Sequence, residues 1–425
     1  MVNKFHTVMR KISSLFVLFI LLLSSCGTTS PEITLQVSNL SDHFRSDATL
    51  LLSREEISRW MDIPSDLLPV LKDLTGEYIP CQADDIDGDG QWDELFGLCD
   101  LGPSAPMTVV ITFVAPGLYP TFPIRTNLHL GDAKNGYREM DVADRLEGVS
   151  YNNYADRTSA AFQMEGPAWE NDKVGFRNYM DQRNGMDIFG KATTKMVLSE
   201  VGIEGAPSYH EPGEWGMDVL KVGTSLGAGG IAYMYHDSLY RVGDNGSGRY
   251  EVEFQGSQRS RFKLTYSDWK VEELSLDVTH HVEIVAGRHY YQGTVVYQGT
   301  EDTLQLVPGI VNMKSELLHV LTLDDQYTAL LTHDKQSEDS TFLAMALMVP
   351  TSYLVSTGET RDEGEGITQT YYAAMETYPG DQLSYRFYAL WEGEDPKWAS
   401  LKEVKEYLLL EAERWTQSVV YTKRQ

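Results

Sequence analysis

The chain has 425 residues, with 35 Lys+Arg against 62 Asp+Glu and a formal charge of −27 at pH 7. So acidic a polypeptide repels phosphate backbones and anionic membrane surfaces, which excludes nucleic acid as a partner and requires a local basic pocket for any acidic ligand. With 42% apolar and 11% aromatic residues it can bury a large core, and its length exceeds one typical domain.

The N-terminus carries Lys4, Arg10 and Lys11, then an apolar run from Ile12 to Leu23 that is too short for a stable membrane span. The run ends in Leu23-Ser24-Ser25-Cys26, the spacing of a lipobox. Residues 1–25 therefore read as a lipoprotein export signal, Cys26 as the acylated new N-terminus, and 26–31 as a polar tether. No acidic run follows Cys26, which points to a protein lipid-anchored in the cell envelope and facing the periplasm rather than the cell surface.

From Glu32 the pattern becomes that of strands: Ile33 to Val37 and Met107 to Phe113 alternate with period two and are rich in β-branched residues. Residues 32–130 read as a small N-terminal β-domain, with a boundary near Gly131 where the sequence turns polar. A short helix is expected at Ser53, which has capping-box spacing to Glu56.

Within this domain Asp85, Asp87, Asp89 and Asp93 fall at loop positions one, three, five and nine, with Gly90 at six and the Gln91 carbonyl at seven. A hard cation takes six to eight oxygens, so this spacing predicts a structural calcium hairpin. Position twelve is Phe96 instead of Glu, and the flanks read as strands, so it is not an EF-hand. Cys81 and Cys99 lie at equal distance from Gly90, compatible with a disulfide across the hairpin base or with two buried thiols.

Residues 131–425 carry a series of strand-like runs with turn signals between them, among them 250–254, 261–266, 282–285 and 293–297. The fold class expected is all-β, a β-sandwich or supersandwich of mutarotase-like type, with a small N-terminal β-domain and a C-terminal helix. That helix is predicted from Ser400 and Glu403, with Leu401, Val404, Leu408, Ala412, Trp415 and Val419 on one face.

Unusual residues concentrate between 162 and 230. Trp169-Glu-Asn-Asp172 with Phe176-Arg177, Tyr209-His210 with Gly216-Met-Asp218, and Val222-Gly-x-Ser-Leu-Gly-x-Gly-Gly230 resemble hallmark stretches of the domain of unknown function 4861 family. The resemblance covers nearly the whole mature chain. It implies a Bacteroidetes lipoprotein of a polysaccharide-utilisation system, with uronate-containing oligosaccharides as the substrate class. The residues offer parts for such chemistry. In an extended segment Glu170 and Asp172 share a face and could serve as acid and base, and Trp169 offers a stacking surface. A bulge at Gly175 would aim Arg177 at a uronate carboxylate. Tyr209 and His210, in a Pro- and Gly-rich loop, supply a titratable pair for proton abstraction, and Trp215 and Asp218 complete a substrate surface. The expectation is a lyase or hydrolase. The alternatives are an internal ion-pair network in a protein that only binds glycan or a partner.

His280 and His281 are adjacent on a strand and face opposite sides, so they do not share an ion. The glycine run at 223–230 lacks the Lys-Ser/Thr of a phosphate-binding loop and reads as bulges and close packing.

Overall fold

The computed structural model describes residues 31–145 and 161–424; the export signal, Cys26 and the tether up to residue 30 lie outside them. The N-terminal domain packs a five-stranded sheet on a three-stranded one. Ile33–Ser38 alternates buried and half-buried residues, and Ile33, Leu35 and Val37 enter a core with Leu50, Leu52, Val109 and Ile111. The short helix Arg54–Ser58 begins as expected, with the Ser53 hydroxyl accepting from the Glu56 amide at 3.1 Å.

The large domain is a supersandwich. A nine-stranded antiparallel sheet lies opposite two five-stranded sheets, which are joined edge to edge by a single parallel bridge between Met186 and Gly227. Aromatic rings fill the interface: Trp169 packs on Phe262 and Tyr291, and Tyr233 on Tyr297 and Trp269. In the glycine run, Gly229 (φ +86°) takes a backbone that other residues rarely adopt, and a Cβ there would lie 2.3 Å from the Tyr291 hydroxyl. The register shifts between Ala228 and Ile231, the bulge expected at this run.

The C-terminal helix, Leu401–Thr416, is capped by Ser400, whose hydroxyl accepts from the Glu403 amide. Val404, Leu408 and Ala412 pack on Tyr388, Leu390 and Leu331 on the outer side of the nine-stranded sheet. Each fully buried aliphatic side chain there contributes ~1.5–3 kcal/mol.

Three expectations are corrected by the register. The domain boundary precedes Gly131, because Thr126–His129 already forms a strand of the large domain, paired with Ala168–Asn171. Val419 lies beyond the helix and packs on the N-terminal core, and Val420–Lys423 pairs with Ile33–Ser38, so the C-terminus completes the N-terminal sheet. Cys81 and Cys99 are both free and buried. The hairpin pairs Asp84 with Glu94, which puts Cys81 opposite Gly97, while Cys99 pairs with Ala48 on another strand.

Candidate functional site

Ala168–Asn171 and Val174–Asn178 form an antiparallel hairpin that pairs Trp169 with Phe176, Glu170 with Gly175 and Ala168 with Arg177. Trp169 and Phe176 stack in the core, so Glu170 and Arg177 share the opposite, outer face without any bulge at Gly175. The next strand, Met186–Lys191, sets Asp187 opposite Arg177, and Gly216–Asp218 sets Asp218 beside Phe189. Only glycine fits at Gly216: φ is +127° and a Cβ would meet the Gly190 carbonyl oxygen at 1.8 Å.

These strands assemble a buried cluster around Arg177, whose side chain is 2% exposed. Its Nε and Nη2 donate to Asp187 Oδ2 at 3.1 and 2.6 Å, and Nη2 also donates to Asp218 Oδ2 at 2.9 Å and to the Tyr179 hydroxyl at 2.8 Å. Nη1 donates to the Met164 carbonyl and the Tyr209 hydroxyl, each at 3.2 Å. One guanidinium faces two buried carboxylates. Burial, followed by repulsion from Asp187, raises the Asp218 carboxyl well above its ordinary range, which favours its protonated form.

His210 is where solvent reaches this cluster. Its imidazole is 57% exposed, its Nδ1 lies 3.4 Å from Asp218 Oδ2, and its ring packs on Tyr209 with centroids 4.3 Å apart. Partial burial and the nearby Arg177 charge lower its pKa, favouring the neutral ring. A neutral imidazole next to a carboxyl that keeps its proton is a proton-handling pair.

Of the other expected site residues, some join this cluster and some do not. Trp169 is fully buried among Phe176, Phe262 and Tyr291 and offers no stacking face to a sugar. Glu170 is fully buried, ion-paired with Lys191, and accepts from the Val197 and Leu198 amides at 2.7 and 2.9 Å. Asp172 lies past the strand end, where Arg125 bridges it to Asp47 at 2.8 and 2.7 Å and braces the two domains. Arg177 has its donors committed inside the protein and cannot grip a uronate carboxylate, because its hairpin strand turns it into the cluster. Tyr209 and Asp218 do join His210, and Trp215 packs half-buried on Phe189.

Asp187 and Tyr179 carry the cluster yet were not among the expected residues. Their alternation with Arg177 along the strands was the available signal. In the acidic loop, carboxylate oxygens of Asp85, Asp87 and Asp89 lie within 4.8 Å of one another. Gly88 and Gly90 turn the chain at positive φ and donate their amides to Asp85 at 2.8 Å each. The donor set is all oxygen, as a hard cation requires. Asp93 instead turns Oδ2 to the Ile86 amide at 2.6 Å, and the Gln91 amide nitrogen donates to Asp89.

Fold and cluster together define a two-domain β-protein: a supersandwich with a small β-sheet domain at one end and a buried guanidinium–carboxylate cluster on one outer face. The chain belongs to the family described as Domain of unknown function (DUF4861), which it matches over residues 37–420. It is similar to the "Uncharacterized protein P7" of Formosa agariphila, 27% identical over 152 residues that cover 32% of this chain and 38% of the relative. Among solved structures it is similar to an α-mannosidase from Enterococcus faecalis V583, with TM-score 0.47 and 7% identity over 93% of this chain and 46% of that one. A glycosyl hydrolase family 38 protein from Enterococcus faecalis matches with TM-score 0.41 and 8% identity, over 93% of this chain and 47% of that one. The chain spans less than half the length of each of these proteins.

Proposed function

We propose that the protein is a carbohydrate-active enzyme cleaving uronate-containing oligosaccharides, by β-elimination or hydrolysis, with His210 as its proton-transferring group. One observation carries this reading: two buried carboxylates share one guanidinium next to an imidazole that solvent reaches. The neutral ring accepts a proton from substrate or water and, as imidazolium beside Asp218, returns that proton to the departing oxygen. Tyr209 packs against the ring at a 45° tilt and helps hold it in place. On the same reading the mature chain is anchored by lipid at Cys26, facing the periplasm within a polysaccharide-utilisation system. The loop around Asp85, Asp87 and Asp89 then holds a structural calcium ion.

The test is incubation of purified mature protein with pectic and algal oligosaccharides, read by the absorbance of unsaturated uronate and by new reducing ends. Product from wild type that His210→Ala abolishes is the expected result. No product from any of these substrates would overturn the reaction class, and binding without turnover would make the protein a glycan-binding lipoprotein.

A further inference from the structure

On the other side of the sandwich from Arg177, a cleft of about 480 Å³ opens between the N-terminal domain, the outer face of the nine-stranded sheet and the C-terminal helix. Five arginines line it: Arg45, Arg259, Arg288, Arg386 and Arg414. In a chain of net charge −27 this is a concentration of positive charge that needs a reason. Its lining carboxylates, Glu283 and Glu411, account for part of it. Glu411 pairs with Arg414 at 2.6 Å and lies 4.0 Å from Arg288, while Arg259 is held by Asp84 at 2.8 Å and Glu94 at 2.5 Å.

Arg45 and Arg386 are left over. Neither has a carboxylate within 4.0 Å among the described residues. Arg45 is 3% exposed and gives one nitrogen to the Gln417 carbonyl at 2.6 Å, while its buried Nε and Nη2 have no hydrogen-bond partner. A buried guanidinium with two idle donors on a cavity wall is costly unless a ligand satisfies them. Arg386 lies over Trp415 and Tyr290, 4.0 and 4.5 Å from the ring centroids, donates to Gln292 at 3.1 Å and reaches the Tyr388 hydroxyl, but meets no carboxylate among the described residues.

The size and the walls narrow the ligand class. The volume is several times what an inorganic anion fills and suits one or two sugar rings. Both faces of Trp415 are occupied, one by Arg386 and one by Tyr327, so recognition cannot rest on stacking and a neutral sugar gains little. Glu283, 3.7 Å from Arg259, and Gln292 also line the cleft and are partners for hydroxyl groups.

We propose that this cleft is a second saccharide site, one for an acidic sugar, whose carboxylate or sulfate is held by Arg45 and Arg386 and whose hydroxyls meet Glu283 and Gln292. Paired guanidinium donors suit such oxyanions. The site stands apart from the His210 cluster and does not depend on the reaction assigned there.

Calorimetric titration of the full mature chain tests it, with galacturonic acid, galactose and inorganic sulfate as probes, in a His210→Ala background that removes the other site. Galacturonic acid should bind, galactose at least tenfold more weakly, and Arg45→Gln or Arg386→Gln should each lower affinity about tenfold or more. Arg386 is less buried than Arg45, so its variant keeps the test open if Arg45→Gln fails to fold. Equal binding of galactose, sulfate binding as tightly as the sugar acid, or affinity unchanged in both variants would overturn the proposal. So would the absence of binding, which would leave the arginines as a domain-docking device. Because binding is read and not turnover, failure here is distinct from failure of the enzyme reading.

Discussion

The charge balance of the Arg177 cluster can be tested by a double-mutant cycle on its two carboxylates. If one guanidinium is shared and Asp218 keeps a proton, Asp218→Asn replaces a neutral acid by its neutral amide and should cost under about 1 kcal/mol, one imperfect hydrogen bond. Asp187→Asn leaves Arg177 Nε and the Tyr179 hydroxyl a neutral amide oxygen in place of a carboxylate, and it removes the repulsion that adds to burial in raising Asp218. Burial still opposes ionisation of Asp218, but without the Asp187 charge Asp218 ionises more readily and can take over the pairing, and the cost should stay near ~1–2 kcal/mol. With both replaced, Arg177 is buried without a counter-ion and ~3–5 kcal/mol is lost, well beyond the sum. Urea unfolding at neutral pH measures all four proteins. The pH dependence has a definite sign. Above the ordinary value of 3.8 the folded protein holds a proton on Asp218 that the unfolded chain has released, so this group's contribution to stability falls as pH rises. The stability gap between wild type and Asp218→Asn should shrink, or turn against wild type, as pH rises from about 4. An additive cycle, or a gap growing with pH, would refute the shared-charge account.

Calcium in excess of its dissociation constant should raise the melting temperature of wild type, by ~2.7 kcal/mol of added stability at a hundredfold excess, and leave Asp87→Ala/Asp89→Ala unchanged. Equal shifts in both would remove the calcium site. Burial pushes the Cys81 thiol up to about 11 and the Cys99 thiol up to about 12. Non-reducing mass spectrometry should therefore find two thiols, alkylated at neutral pH only after unfolding; a mass loss of two hydrogens would disprove the register described. Truncation after Gln417 removes Val420–Lys423 from the N-terminal sheet and should lower thermal stability while leaving the far-ultraviolet signal of the supersandwich. An unchanged melting curve would show that this pairing contributes nothing.

Features fixed by a few neighbouring residues were readable in the sequence. The caps at Ser53 and Ser400, the turn around Gly90 and the bulge of the glycine run each depend on local hydrogen bonds or on backbone angles. The all-β class followed from period-two alternation. What depended on pairing between distant segments was not readable. Glu170 and Arg177 meet on one face because a hairpin folds between them, a relation that spacing along one strand cannot express. The equal distances of Cys81 and Cys99 from Gly90 suggested symmetry, but the pairing of Asp84 with Glu94 centres the hairpin one residue earlier. Trp169 resembled a sugar platform because an aromatic on a strand reads alike whether its side of the sheet is covered or open. Asp187 escaped notice because its importance lies in Arg177, ten positions away.

The pairing of Val420–Lys423 with Ile33–Ser38 also sets an order of events. Synthesis delivers Ile33–Ser38 long before its outer partner Val420–Lys423. Until then one flank of that strand presents unpaired amides and carbonyls, the feature that invites association with other chains. The N-terminal sheet is therefore complete only once the segment that follows the supersandwich is available. Shielding that flank while it stays unpaired, by a chaperone or by speed, becomes a requirement of this architecture.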